Sequence, residues 1–532
     1  MTAPAPLTHR QIVTVLSGLL IGMFLAALDQ TIVSTAMRTI ADELEGQTAQ
    51  AWVTTAYLIT ATITTPLYGK LSDTYGRKPF YLFAISVFVV GSVLCGTAQD
   101  IYQLAAYRAV QGLGAGGLMS LAFAIVGDLV SPRERGRYQA YFMSVFATSS
   151  VLGPVLGGAL AGQETLLGID GWRWIFYVNV PIGAVALVVV TRNLSLPRRR
   201  SEHRIDGVGA ALLTTAVVPL LLVAEQSREW GWGSPLTLSL LALSVLSLVA
   251  FVPWEARLGD EAILPMRMFR SSVFSRTNVV SLLVGGGMFG GLVVIPLYLQ
   301  IVKGSSPTEA GLQLVPLMAG IIVTAGASGK AMSRTGRYKR FPIVGTALMI
   351  VAMLLFSTLH ADSPIWRAML FMVVMGAGLG LSMQTLVISV QNAMPPRDMG
   401  VATSSVTFFR SMGGTFGAAV ALAILFGSVA GNIADRAREA GLPAQAFRGF
   451  NLDDTSTLSA IPAAARRAVL EGFVDSMSTV FVVMALLLVP AFVLTFFIQE
   501  IPLRTSGGIA AAHEDADDEA ALATARTESA VL

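Results

Sequence analysis

Gly69-Lys-Leu-Ser-Asp73-Thr-Tyr-Gly76-Arg77-Lys78 stands between two apolar stretches, and a degenerate copy, Gly329-Lys-Ala-Met-Ser333-Arg-Thr-Gly336-Arg337, stands between two more. Gly69, Lys70, Gly76 and Arg77 recur 260 positions later as Gly329, Lys330, Gly336 and Arg337. A polar hinge repeated once per half, with apolar spans on both sides, reads as a duplicated membrane protein.

The rest of the chain agrees. Of its 532 residues 54% are hydrophobic and only 13% charged, about half the charged share of an ordinary soluble domain, and its mean hydropathy is +0.66. Runs near the roughly 20 residues needed to cross a bilayer recur from end to end, and fourteen are expected: 12–33, 51–69, 79–98, 102–129, 138–161, 174–191, 207–225, 235–254, 277–301, 308–331, 341–359, 366–390, 401–429 and 477–499. Lys70, Arg77, Lys78, Arg133, Arg135, Arg137, Arg198, Arg199, Arg200, Lys330, Arg334, Arg337, Lys339 and Arg340 follow even-numbered spans. Asp42, Glu43, Glu45, Asp100 and Asp362 follow odd-numbered ones. The positive-inside rule then puts both termini in the cytoplasm. Arg10 and the apolar run after it resemble a secretory signal, but the run continues to Val33, and the span is expected to be retained as the first helix.

The net charge of +3 is spread over separate loops, as topogenic charge is, and does not mark a nucleic-acid surface. Cys95 is the only cysteine, so no intrachain disulfide forms, and His9, His203, His360 and His513 show no metal-ligand spacing. Gly112-Leu-Gly-Ala-Gly-Gly117 satisfies the dinucleotide pattern G-x-G-x-x-G but lies inside a lipid-length span with no preceding strand, so its glycines are read as close-packing positions. No G-x-x-x-x-G-K-[ST] loop is present, and no ATPase subunit or cofactor is implied.

The repeat extends beyond the hinge. Pro132-Arg133-Glu134 and Gly136 match Pro396-Arg397-Asp398 and Gly400, 264 positions on, and Gly112-x-Gly114 matches Gly376-x-Gly378. The expected fold is therefore all-α and polytopic, with two pseudo-symmetric six-helix bundles and a two-helix insertion in a 6+2+6 order. The expected units are 1–200, 201–257 and 258–505, followed by a disordered acidic cytoplasmic tail at 506–532. An external loop at about 430–474 is expected to carry short amphipathic helices near 434–440 and 463–471.

On these residues the chain resembles the major facilitator superfamily, and within it the fourteen-helix drug:proton antiporter branch. The loop Gly69-x-Leu-x-Asp73-x-x-Gly76-Arg77-Lys78 is similar to the superfamily's cytoplasmic motif. Arg108-Ala-Val-Gln111-Gly112-x-Gly114-Ala115 is similar to its fourth-helix motif, and Gly153-Pro154-x-x-Gly157-Gly158 to the antiporter motif of the fifth helix. Leu28-Asp29-x-Thr31-x-Val33 and Trp172-Arg-Trp-Ile-Phe176-x-x-Asn179-x-Pro181 resemble signatures of the fourteen-helix branch. The resemblance implies a multidrug efflux transporter of the bacterial cytoplasmic membrane, not an enzyme, in which Arg108 assists proton movement. A monomer would contain a complete pathway.

The residues carry an argument of their own. Asp29 and Arg108 lie inside apolar spans, where a charge is costly unless it is paired or faces water, and so mark a functional path. Gln111 lies one turn beyond Arg108. Asp73 and Arg77 are expected to form a latch that closes the cytoplasmic side, stronger in the first half because Ser333 replaces the acid in the second. Pro154 should kink its helix, with Gly153, Gly157 and Gly158 allowing tight contact beside the bend. Trp52, Thr55, Tyr57, Met383, Gln384, Asn392 and Arg410 are candidate linings of an adaptable pocket, and Glu225 is an additional acid in the insertion.

These features lead to a proton-driven exporter of lipophilic, often cationic compounds, with protons, those compounds and the bilayer as its partners. A dedicated exporter of one endogenous metabolite, antibiotic or lipid is the nearest alternative. An uptake symporter is disfavoured by Gly153-Pro154, and a non-transporting scaffold by the cost of burying Asp29 and Arg108.

Overall fold

The computed structural model describes residues 9–46, 49–194, 206–231, 233–443 and 461–504. The helices are α1 (His9–Glu43), α2 (Gln50–Tyr75), α3 (Arg77–Gly96), α4 (Ile101–Leu129), α5 (Pro132–Ala161), α6 (Trp174–Tyr177), α7 (Asn179–Asn193), α8 (Gly207–Trp230) and α9 (Pro235–Leu258). They continue as α10 (Ser272–Leu297), α11 (Pro307–Gln313), α12 (Val315–Thr335), α13 (Arg340–Phe356), α14 (Ile365–Ala393), α15 (Met399–Glu439) and α16 (Ala463–Phe497). The strands among the described residues form one hairpin, pairing Thr165 with Asp170 and Leu166 with Ile169. Leu167 and Gly168, both at positive φ, make its two-residue turn.

Among the described residues twelve helices are long and apolar enough to cross a membrane. Two of the fourteen expected spans fall outside that set for identifiable reasons. The helix α13 is apolar but only 17 residues long. The helix α2 has 26 residues but carries seven threonines, Lys70 and Asp73. Several of its hydroxyls are satisfied within the helix: Thr60 donates to the Ala56 carbonyl at 2.9 Å, Thr64 to Thr60 at 2.8 Å and Thr65 to Ala61 at 2.8 Å. A threonine-rich segment of this kind presents little unpaired polarity to its surroundings.

The sequence repeat is also a packing repeat. A side chain at Gly112 would strike Tyr57 and Thr60 of α2, and one at Gly114 would strike Ala84 and Phe88 of α3. The equivalent Gly376 meets Leu317 and Ile321 of α12, and Gly378 meets Gly345 and Met349 of α13. The fourth helix of each half is thus pressed on its second and third by the same two glycines. The helix α8 lies against α2 and α15, with α9 packed on it. An apolar cluster of Ile59, Ile63, Leu213, Val217, Leu221, Val387 and Val406 joins these elements. Large apolar side chains such as Phe83, Leu246, Val249, Val323, Leu370, Leu486 and Phe497 are exposed on the outside, the surface a bilayer covers.

The expected short helices at 434–440 and 463–471 are instead continuations of long ones. The first is the end of α15, which runs unbroken for 41 residues, and the second is the start of α16. At 1.5 Å per residue α15 is about 60 Å long, twice a hydrocarbon core. Its projecting end is held to α16 by Arg436, which donates to Asp475 at 2.7 and 3.0 Å, and by Asn432, which donates to Ser476 at 2.7 Å. The expected tail at 506–532 lies outside the described residues.

Candidate transport site

Four helices of the first half bring their polar groups to one point. Asp29 of α1 and Arg108 of α4 form an ion pair at 2.5 Å, the two side chains being 0% and 1% exposed. Gln111, one turn along α4, accepts from Arg108 at 2.7 Å and donates to Asp29 Oδ1 at 2.8 Å. Asn179, the first residue of α7, donates to the same Asp29 oxygen at 2.7 Å and to Ser92 Oγ of α3 at 2.9 Å. Ser92 in turn donates to the Phe176 carbonyl at 2.8 Å. The Arg108 guanidinium lies over the Tyr57 ring, 4.1 Å from its centroid, a cation–π contact that shields the charge. Two buried atoms of this knot, Arg108 Nε and Asn179 Oδ1, have no hydrogen-bond partner among the described residues. A buried pair repays its desolvation only through such added hydrogen bonds, and loss of either charge leaves the other stranded.

Sequence reasoning found Asp29, Arg108 and Gln111. It quoted Asn179 within a motif but gave it no role, and it missed Ser92. Thr31 does not serve Asp29: it donates to the Ala27, Leu28 and Ser149 carbonyls. Its hydroxyl occupies the space beside Gly153, and the Ile32 carbonyl lies beside Gly157, so these two glycines let α5 close on α1. Gly158 has nothing within 4 Å and takes no part in that contact. Pro154 lies within α5 and packs beside Gly311 of α11.

The hinge loop builds a second site at the basic ends of the helices. Gly76 has φ +102°, and Gly336 of the copy has φ +69°, backbone values that favour glycine at both turns. Asp73 accepts the Gly400 and Val401 amides at 3.0 and 2.8 Å, so it caps the first turn of α15 in the opposite bundle. Arg77 pairs with Asp73 at 2.5 Å and with Asp128 at 2.7 Å, and donates to Ser72 at 2.6 Å. Asp128 is therefore a member of the latch. Gly69 and Gly400 face each other, and a side chain on either would strike the other's carbonyl. Lys78 lies to one side and donates to the Thr191 carbonyl at the end of α7, at 2.7 Å.

The second half closes with the opposite polarity. Arg133 of α5 donates to the Ser333 and Arg334 carbonyls at the end of α12, at 2.8 and 3.3 Å. Between the two latches Arg135 donates to Gln391 at 2.7 Å, and Gln391 donates to the Phe123 carbonyl at 3.2 Å. Arg267, in the segment after α9, grips Asp398 through two bonds of 2.8 and 2.9 Å and Asp260 through one of 2.6 Å. Burial lowers the proton affinity of its guanidinium, but the bonds to those two carboxylates more than offset this and raise it above the usual arginine value.

The candidate lining residues do not converge. Tyr57 serves Arg108. Thr55 is buried and lines a small pocket with Leu58, Ile59, Leu221 and Thr415. Trp52 meets Trp230 of α8, with ring centroids 6.5 Å apart. Met383 packs on the second-half core, and Gln384 is buried with its Oε1 unpartnered. Arg410, part-exposed on α15, has its backbone against Gly285 of α10. Asn392 is committed elsewhere: it donates to the Ile501 and Pro502 carbonyls and accepts the Arg504 amide. Glu225 is in α8, and its side chain lies outside the described residues. Among the described residues no group of three or more His, Cys, Asp or Glu side chains is arranged to hold a metal ion.

The family model described as Major Facilitator Superfamily matches residues 19–418, most of the chain. The chain belongs to the major facilitator superfamily. This facilitator is 38% identical over 505 residues to an uncharacterised MFS-type transporter of Mycobacterium tuberculosis strain H37Rv, covering 95% of this chain and 71% of the relative. It is 33% identical over 505 residues to Multidrug resistance protein 3 of Bacillus subtilis strain 168, covering 92% and 96% of the two chains. The solved proton:xylose symporter XylE superposes with a TM-score of 0.63 at 15% identity, over 94% of this chain and 99% of that one, and shows the shared fold. This facilitator is a multi-pass membrane transporter and not an enzyme.

Proposed function

We propose that this facilitator exports lipophilic, often cationic compounds across the bacterial cytoplasmic membrane in exchange for protons. In this reading fourteen helices cross the bilayer in a 6+2+6 order, α8 and α9 form the insertion, and the basic face is cytoplasmic. The observation that carries the reading is the Asp29–Arg108 pair, wholly buried in one bundle and surrounded by Gln111, Asn179 and Ser92. A structural scaffold gains nothing from that burial.

Asp29 can be neutralised by the Arg108 guanidinium, by a proton or by a cationic compound, and these occupants exclude one another. Exclusion of this kind is the requirement for exchange, since the two cargoes must favour opposite states. Ser92 and Arg77 lie at opposite ends of α3, about 22 Å apart along the axis at 1.5 Å per residue. Arg108 and Asp128 likewise lie at opposite ends of α4. A change of partner at Asp29 therefore acts on helices whose far ends carry the latch, and release of Asp73 from the α15 amides opens the cytoplasmic side. A proton gradient supplies the energy, each charge moved across 100 mV being worth about 2.3 kcal/mol, and no cofactor takes part.

The test is transport by the purified protein in vesicles under an imposed acid gradient, with cationic, neutral and anionic lipophilic compounds offered in turn. Gradient-driven accumulation by the wild type that is lost in Asp29→Asn supports the reading. Transport of cationic compounds by Asp29→Asn with unchanged pH dependence contradicts it.

A further inference from the structure

A second buried pair, this one of two acids, lies in the insertion, remote from Asp29. Asp206, just before α8, and Glu255, near the end of α9, are 8% and 0% exposed. One oxygen of each is accounted for. Asp206 Oδ1 accepts the Gly209 amide at 2.8 Å and the Trp254 indole N–H at 3.0 Å. Glu255 Oε2 accepts the Leu264 amide at 2.9 Å. The other two oxygens, Asp206 Oδ2 and Glu255 Oε1, are buried and, among the described residues, reached by no N–H or O–H donor. Both lie against the same face of Gly209, where an added methyl group would collide with each. The Asp206 carboxyl is the side-chain hydrogen-bonding partner open to Glu255.

Two carboxylates in one water-poor site do not both ionise, and a hydrogen bond between two carboxyl oxygens exists only with a proton on one of them. Among the described residues the cation whose charge is felt at Glu255 is Lys70 of α2, which donates to the Asp260 carbonyl. In the adjoining segment Arg267 holds Asp260 and, from the start of α15, Asp398, while Arg257, Glu261 and Arg270 lie beside it. We propose that Asp206 and Glu255 share one proton, so that the two-helix insertion contains a proton-binding site separate from the Asp29 knot.

The site is wired to the latch. Glu255 holds Leu264, and the same segment carries Asp260, which takes Lys70, and Arg267, which takes Asp398 just ahead of the α15 turn capped by Asp73. Loss of the shared proton places two like charges against Gly209 and loosens this segment. The protonated pair therefore stabilises the closed basic face, and that stabilisation disappears as the pH rises past the point at which the pair gives up its proton.

The experiment is infrared spectroscopy of the purified full chain in lipid across a pH series, with wild type, Asp206→Asn and Glu255→Gln compared. The expected result is a carbonyl band of a protonated carboxylic acid near neutral pH in the wild type. Either substitution should abolish it, because an amide N–H satisfies the remaining carboxylate without a proton. Thermal melting should show a wild-type midpoint that falls with rising pH more steeply than that of Glu255→Gln. Should a single variant fail to accumulate, Asp206→Asn/Glu255→Gln, which replaces the acids with a neutral amide pair, should likewise lack the band. Persistence of the band in any of these variants overturns the proposal. So does its absence from the wild type together with a melting point that drops on adding a chelator, which would put a metal cation between the acids.

Discussion

The two bundles share a scaffold and differ at its centre. On the 264-residue offset that aligns Gly112-x-Gly114 with Gly376-x-Gly378, Arg108 corresponds to Met372 and Gln111 to Met375. Both methionines are 0% exposed, in a core that also holds Met349, Met353 and Met484. Where the first half builds an ion pair hydrogen-bonded by Gln111 and Asn179, the second packs thioethers on the same glycine framework. The charged chemistry at this level is thus confined to one half, while the other has soft, unbranched side chains that repack readily. The latches differ in the same spirit. An acid caps amides where α2 meets α15, and an arginine caps carbonyls where α5 meets α12.

That contrast can be broken most severely at Arg108. Arg108→Met, which gives the first half the residue of the second, strands the Asp29 carboxylate and should cost about 3–5 kcal/mol. Met372→Leu should cost less than about 1.5 kcal/mol, since it nearly conserves volume. Unfolding of both variants in the same micelles measures the difference, and equal costs would erase the distinction between the bundles. Asp29→Asn/Arg108→Gln should recover most of the stability lost by either single change, because no unpaired charge remains. A double-mutant cycle reads the coupling directly.

The latches come next in size. Asp73→Asn removes the charge shared by Arg77 and the α15 amides, and should abolish transport while membrane insertion stays normal, with a stability loss of about 1–3 kcal/mol. Ser333→Ala should transport as the wild type does, because Arg133 uses the backbone carbonyl there and not the side chain. Transport assays beside a surface-labelling assay of insertion check both. The smallest effect is expected at the projecting ends of α15 and α16. Arg436→Ala breaks a part-exposed pair with Asp475 and should cost no more than about 1 kcal/mol, with transport retained.

Much of this was legible in the sequence because the relevant signals are expensive ones. Asp29 and Arg108 stood out because charges in apolar spans are rare, and Gly69, Gly76 and Gly400 because a repeated glycine marks close approach or a turn. Asn179 and Ser92 did not stand out, because a neutral polar residue in a helix can satisfy itself on its own backbone, as Thr60 and Thr64 do. Asn392 resembled a lining residue until its amide was found on the segment 501–504, a contact more than a hundred positions away in sequence. The extension of α15 past the bilayer was masked by its own Arg and Ala, which read equally well as a short separate helix.

The central claim is that the buried Asp29–Arg108 pair exchanges partners as protons cross. Its most direct test is the internal pH of vesicles containing the protein, recorded while a transported cationic compound is added. The wild type should move protons opposite to the compound, and Asp29→Asn, which lacks the carboxylate that the compound and the proton share, should move none. Compound-driven proton movement in Asp29→Asn equal to that of the wild type would contradict the account.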